Sequence, residues 1–118
     1  MSVRGAGQHI KITVSAWEGI SAHPHRFGGT EFRLGDREIG HVHGDSLVDI
    51  PFPTKVRNEL VAAGHAVPHH VLPESGWISF YIREPGDTER AVALLRRSYE
   101  LALDQRARAR QRDTPRSA

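Results

Sequence analysis

The chain has 118 residues, 38% hydrophobic and 25% charged, which is the size and balance of one soluble globular domain. It has no cysteine, which excludes disulfides, thiolate metal ligands and a cysteine nucleophile and suits a reducing, cytoplasmic setting. No apolar run approaches the roughly 18–20 residues that span a bilayer, and the N-terminus lacks the apolar stretch of a secretory signal, so no membrane partner is expected.

The pI of about 9.5 arises at one end. Residues 104–118 hold five arginines against two aspartates, while the other 103 residues carry 11 basic and 12 acidic side chains. The body is near neutral, so nucleic-acid binding by it is not expected. The basic tail reads as a disordered, solvated terminus that could touch phosphates only non-specifically.

Residues 1–7 are expected to be disordered. Residues 8–18 fit two patterns: Ile10, Val14 and Trp17 fall at helical spacing, whereas Ile10, Ile12, Val14 and Ala16 alternate as on a strand. The β-branched residues favour the strand. His23-Pro24-His25-Arg26-Phe27-Gly28-Gly29 reads as a loop. Thr30–Leu34, Arg37–His43 and Ser46–Ile50 read as an antiparallel meander turned at Gly35-Asp36 and Gly44-Asp45. Pro51-Phe52-Pro53 ends it. Thr54 is expected to cap a helix to Ala63, with Val56, Leu60 and Ala63 on its buried face and Gly64 at C′. Residues 65–74 form an irregular loop carrying His69 and His70. Trp77–Arg83 alternates, with Ile78, Phe80 and Ile82 on one face and Trp77, Ser79 and Tyr81 on the other. After Pro85-Gly86, a helix starts at Asp87 or Thr88, with Ala91, Leu95, Ser98, Tyr99 and Ala102 along one face.

These elements make one α+β domain over residues 8–103. It is two-layered, with an antiparallel four-stranded sheet (a meander plus one strand) and two to three helices on one face. The order resembles the YjbR-like fold in architecture alone.

Histidine is the unusual residue: there are eight, six of them in close pairs. His41 and His43, two apart on a strand, point the same way. Three readings stay open for them. They could ligate a divalent metal, with His69 or His70 and a carboxylate such as Asp45 or Asp49 completing a two-histidine, one-carboxylate or three-histidine set. One neutral imidazole could take a proton from an acidic enol while a second, protonated, steadies the anion. Or they could be structural, because Ile39 shares their face if no bulge intervenes and would aim them at the core. His69 and His70 are adjacent and diverge on extended backbone, so at most one is expected at that site. His23 and His25 read as surface residues of a loop. Trp77 and Tyr81 share a sheet face suited to stacking on a flat ligand or partner, or to packing. Gly28-Gly29 does not precede a helix and carries no phosphate role, and Ser75 and Ser79 have no nucleophile context.

The run Arg37-Glu38-Ile39-Gly40-His41-Val42-His43, followed by the histidine loop, the aromatic strand and a helix reaching Ser98-Tyr99, resembles the fungal luciferase domain and its small bacterial relatives over about residues 30–103. The resemblance favours a helix for residues 8–18. It implies oxidation of a hydroxylated pyrone, 3-hydroxyhispidin in the fungal enzymes, by molecular oxygen with no flavin or nucleotide. His41 and His43 match that family's histidine pair, and His69 a histidine before its aromatic strand. The chain is shorter and lacks the fungal N-terminal membrane helix, departures that speak against light emission.

The expectation is a flavin-independent oxygenase acting on a planar acidic small molecule. Its catalytic residues would be His41, His43 and His69, with Trp77, Tyr81, His70 and Arg37 contacting substrate. A divalent metal, if used, would sit on His41, His43 and His69. Two alternatives are a non-catalytic binding module, as a homodimer joined through the open sheet face, and weak nucleic-acid contact through the arginine tail.

Overall fold

In the computed structural model, which describes residues 2–113, the ambiguous N-terminal segment is helical: α1 spans Ala6–Ser15. Ala6, Ile10 and Val14, four apart, are all buried. Ile12, which strand alternation would bury with them, is 64% exposed, so the helical period prevails over β-branching. The residues before α1 are also placed, contrary to expectation. Val3 packs against the core, and the Asp45 carboxylate accepts the N–H groups of Gly5 and Gly7 at 3.2 and 2.8 Å. Asp45 thus supplies the anion and the acceptors that the N-terminus of α1 lacks in its own sequence.

The sheet has six antiparallel strands where four were expected, in the order β1-β2-β3-β4-β6-β5. They are β1 (Ile20–His25), β2 (Gly29–Leu34), β3 (Arg37–His43), β4 (Leu47–Pro51), β5 (Val67–Pro68) and β6 (Trp77–Tyr81). The two additions, β1 and β5, contain Pro24 and Pro68. Both lie at sheet edges, where a missing N–H need not interrupt a ladder, so proline there did not mean loop. Arg26–Gly28 turns β1 into β2, with Phe27 and Gly28 in the left-handed region (φ 59° and 77°).

One face of the sheet carries Phe32, Val42, Val48, Ile50 and Ile78 into a core shared with Ile10 and Val14 of α1 and Ala91, Leu95 and Tyr99 of α3 (Gly86–Asp113). Helix α2 (Thr54–Ala62) sits against β5 and β6. Its Leu60 is buried and Val56 half-buried, but Ala63 is exposed. Pro53, not Thr54, occupies the cap position, and Gly64 follows the helix at φ 77°.

Helix α3 continues ten residues beyond Leu103, so residues 104–113 of the basic segment are helical rather than disordered; residues 114–118 lie outside the described residues. Alanine, glutamine and arginine are good helix formers, and Asp104 pairs with Arg108 one turn on at 3.1 Å. Among the described residues no helix is long and apolar enough to cross a membrane.

At the start of α3, Asp87 accepts the backbone N–H groups of Arg83 and Glu84 at 2.9 and 3.0 Å. Asp87→Ala is expected to cost about 1 kcal/mol in thermal or urea unfolding. The Arg83 N–H, then that of Glu84 and the Arg90 side chain, hold the Asp87 carboxyl below its ordinary 3.8 against the opposing pull of burial. The contribution is therefore fully present above that pH and is lost as the pH falls through the lower folded value. The alanine variant should show a smaller acid-induced loss than the parent.

The feature that positions the functional face is a bulge in β3. Phe32 pairs with Gly40 and Arg33 with Glu38, which leaves Ile39 as an extra residue. Ile39 stays buried in the core, and Gly40 (φ 150°) lies against Leu95 of α3. The side-chain alternation is reset at that point. Gly40 and Val42 face the helices, and His41 and His43 face the opposite side.

Candidate functional site

His23, Glu31, His41, Asp49, Ser79 and Val67 lie opposite one another on successive strands. Residues so paired share a sheet face. Near the middle of that row Asp49, 1% exposed, is the hub. Its Oδ1 accepts the Ser79 hydroxyl at 2.7 Å. Around its Oδ2 stand four imidazole Nε2 atoms: His41, His43 and His70 at 3.2 Å and His69 at 3.6 Å. His41 and His70 donate hydrogen bonds to it; His43 and His69 approach the same oxygen without hydrogen-bond geometry.

The histidines are held from behind in different ways. His41 Nδ1 donates to Glu38 Oε2 at 2.6 Å, so both its ring nitrogens face carboxylates. His25 Nδ1 donates to Glu31 Oε1 at 3.0 Å, and Arg33 Nε holds the other oxygen of Glu31 at 2.6 Å. The His25 ring stacks on His41 with centroids 3.8 Å apart. His69 is oriented the other way round: its Nδ1 accepts the N–H groups of Val71 and Leu72 at 3.1 and 3.0 Å. A neutral His69 therefore carries its proton on Nε2. The Trp77 ring lies 5.4 Å from His41 and 5.9 Å from His69.

Charge follows from this arrangement. Burial works against protonation of His41, but the hydrogen bonds to Asp49 and Glu38 outweigh it and raise its pKa to about 9. His43 is pushed below its ordinary value by burial and then by the charge of His41. His69 is lowered by burial, with His70 and His41 adding to it and Asp49 opposing. For Asp49, burial favours the neutral acid. The hydrogen bonds from His41, Ser79 and His70 more than reverse that and hold it ionised well below the usual carboxylate range.

These groups form the floor of an open cleft of about 620 Å³. Its rim carries apolar side chains beside one cation: Phe27, 99% exposed, and exposed Arg26 lie on the β1–β2 side, and exposed Val71 and Leu72 on the loop before β6.

His41, His43, His69, His70 and Trp77 thus converge. The two adjacent histidines both reach Asp49, contrary to the expectation that at most one would, because the chain bends at His70 and Val71 rather than running on extended. Three other candidates stand elsewhere. Arg37 is exposed at the start of β3 and bonds to Gln105 of α3. Tyr81 is on the histidine face but outside the cleft, with the Arg83 guanidinium over its ring at 5.0 Å. Asp45 is spent on α1, so Asp49 is the carboxylate of the pair that meets the histidines. His23 bonds to Ser21 at 2.7 Å, outside the cleft.

Sequence reasoning missed His25, Glu31 and Glu38. Glu38 and His41 are three apart, which on a regular strand means opposite faces. Gly40 inside the strand was the available signal, since an isolated strand glycine often marks a bulge.

A family model described as Luciferase domain matches residues 36–98, more than half of the chain. That interval holds Asp49 with all four of its histidines, Glu38, Trp77 and Ser79; His25 and Glu31 precede it. Comparison with curated proteins and with solved structures gives no match.

Proposed function

The chain belongs to the Luciferase domain family, and from that premise we propose that its histidine cleft binds a planar, acidic, oxygen-containing small molecule of the pyrone or enol class and oxidises it with molecular oxygen. The observation that carries the reading is the convergence of four imidazoles on one buried carboxylate beneath a largely apolar rim. Phe27, Val71, Leu72 and Trp77 offer apolar and aromatic surface to a flat ring. The polar floor meets its acidic hydroxyl.

His43 Nε2 has no carboxylate partner in hydrogen-bond geometry and is the group placed to take the hydroxyl proton. The positive charge of His41, whose two N–H groups are held by Glu38 and Asp49, and the Nε2–H of His69 steady the anion left behind. The oxidant is oxygen, which reacts with an electron-rich enolate directly.

His43→Ala and His41→Ala are each expected to lower oxygen consumption at least about 100-fold, the lower bound for losing a positioned acid–base group. The measurement is oxygen uptake and binding across a panel of hydroxypyrones and enols. Unchanged binding and uptake in both variants would sink the mechanism.

A further inference from the structure

The turn between β1 and β2 borders the cleft and carries two side chains that nothing in the fold uses. His25 and Gly29 pair across its base, leaving Arg26, Phe27 and Gly28 as its residues. Phe27 has φ 59° and ψ 36°, and among the described residues it is the one non-glycine with a positive φ. A bulky side chain is strained in that region, where glycine or asparagine sits at less cost. The ring gains no packing in return, being 99% exposed. Arg26 is exposed beside it, with no ion pair or side-chain hydrogen bond among the described residues. It is also the one arginine or lysine that lines the cleft. The carboxylates of the floor do not need it: Glu31 is met by His25 and Arg33, Glu38 by His41, and Asp49 by His41, His70 and Ser79. Gly29 brings the turn close to the site, since a Cβ there would stand 3.0 Å from the Val42 carbonyl oxygen and 3.2 Å from His43 Nδ1. An unpaired cation and an unpacked ring, held on a strained turn beside His43, are explained by a molecule that the cleft receives.

We propose that Arg26 and Phe27 form the substrate-recognition pair of the cleft, Phe27 stacking on the face of a planar ring and Arg26 pairing with a carboxylate that the ring carries. The inference rests on the reading of the cleft as a site for planar acids, and it adds a second acidic group set away from the hydroxyl that His43 deprotonates. A guanidinium matches a carboxylate with two parallel N–H donors, a match that a neutral substituent does not offer. The charge of Arg26 stands at the rim and that of His41 on the floor, so a carboxylated enolate meets a cation at each end. The cleft, at about 620 Å³, is of the size that takes a drug-sized ligand and has room for a ring with a substituent.

The experiment uses the full chain and two hydroxypyrone probes, with binding followed by calorimetry. Comenic acid carries a carboxylate across the ring from its hydroxyl; kojic acid has a hydroxymethyl group in that place. Comenate is expected to bind about fivefold tighter, the upper end for an ion pair at an exposed rim, and the preference should shrink in high salt. Arg26→Gln should remove the preference by weakening comenate about fivefold while leaving kojic acid within about twofold. Phe27→Gly should weaken both probes alike, by about threefold or more. It should also hold or raise the melting temperature, because glycine adopts the left-handed backbone without strain. The proposal is overturned if comenate binds no tighter than kojic acid, failure of both to bind included, or if Arg26→Gln keeps the preference. It is equally overturned if Phe27→Gly binds both probes as the parent does, or melts clearly below the parent, the mark of a ring kept for the turn itself. A preference for comenate without oxygen uptake on either probe would defeat the proposed oxidation and leave the recognition pair standing; uptake on both probes alike, unchanged by Arg26→Gln, would do the reverse.

Discussion

Replacing Asp49 with alanine is expected to lower the unfolding free energy by about 3 kcal/mol and to abolish oxygen consumption. Asp49 is the one acceptor that several buried or half-buried donors share. Without it the Ser79 hydroxyl, fully buried, loses its acceptor. His41 keeps Glu38 but presents its Nε2 to an empty space. An orphaned buried polar group costs about 1–3 kcal/mol, and removing one partner of a buried charged pair about 3–5 kcal/mol. The lower part of the combined range applies, because His43 and His70 open onto the cleft and can turn to water. Asp49→Asn separates shape from charge. The amide can still accept the Ser79 hydroxyl, so a loss nearer 1 kcal/mol is expected, while activity should fall as far as in the alanine variant. Urea unfolding followed by circular dichroism gives the stabilities. An alanine variant as stable as the parent would show that Asp49 does not organise the histidines.

Most of the architecture was legible because periodicity reports burial directly. Val56 and Leu60 in α2, and Ile78, Phe80 and Ile82 along β6 and just past it, alternate or recur as the elements require. The failures have separate physical causes. Pro24 and Pro68 read as loop residues, yet each sits at an edge of the sheet, a position that a single sequence does not mark. The helix past Leu103 was hidden by charge: five arginines suggest a solvated tail, but solvated arginine is also a good helix former, and a helix already nucleated by tertiary packing propagates through it. The site was half visible. His41, His43, His69 and Trp77 could be singled out by type and spacing. The convergence on Asp49 depends on strand register across β3, β4 and β6, which spacing along the chain does not encode. His25 depends on β1 being a strand at all. The direction in which His41 and His43 point turned on a single backbone irregularity, and that irregularity is itself open to test.

Gly40→Ala is expected to cost about 3 kcal/mol and to remove more activity than that loss of stability explains. Gly40 has φ 150°, a region that residues with a Cβ seldom adopt. A Cβ built there would stand 2.5 Å from Leu95 Cδ2 and 3.1 Å from the Asp49 carbonyl oxygen. The first clash can be relieved only by moving a fully buried leucine and the second only by moving backbone. Overpacking of this kind costs about 1–3 kcal/mol, and the strained φ adds about 1 kcal/mol or more. The alternative open to the chain is to lose the bulge. A regular β3 would restore strict alternation, and either Ile39 leaves the core or His41 and His43 turn into it. The first exposes a fully buried isoleucine, and the second separates the two imidazoles from Asp49. The sign of the steric part can be isolated by adding Leu95→Ala: the double variant should be less destabilised than the sum of the single changes by about 1 kcal/mol or more, because the removed methyl groups are those the new Cβ meets. Oxygen uptake per folded molecule should remain low in that double variant, since relieving the clash with Leu95 does not relieve φ or the contact with the Asp49 carbonyl. A Gly40→Ala protein that is both stable and active would mean that the bulge is not what turns His41 and His43 toward the cleft.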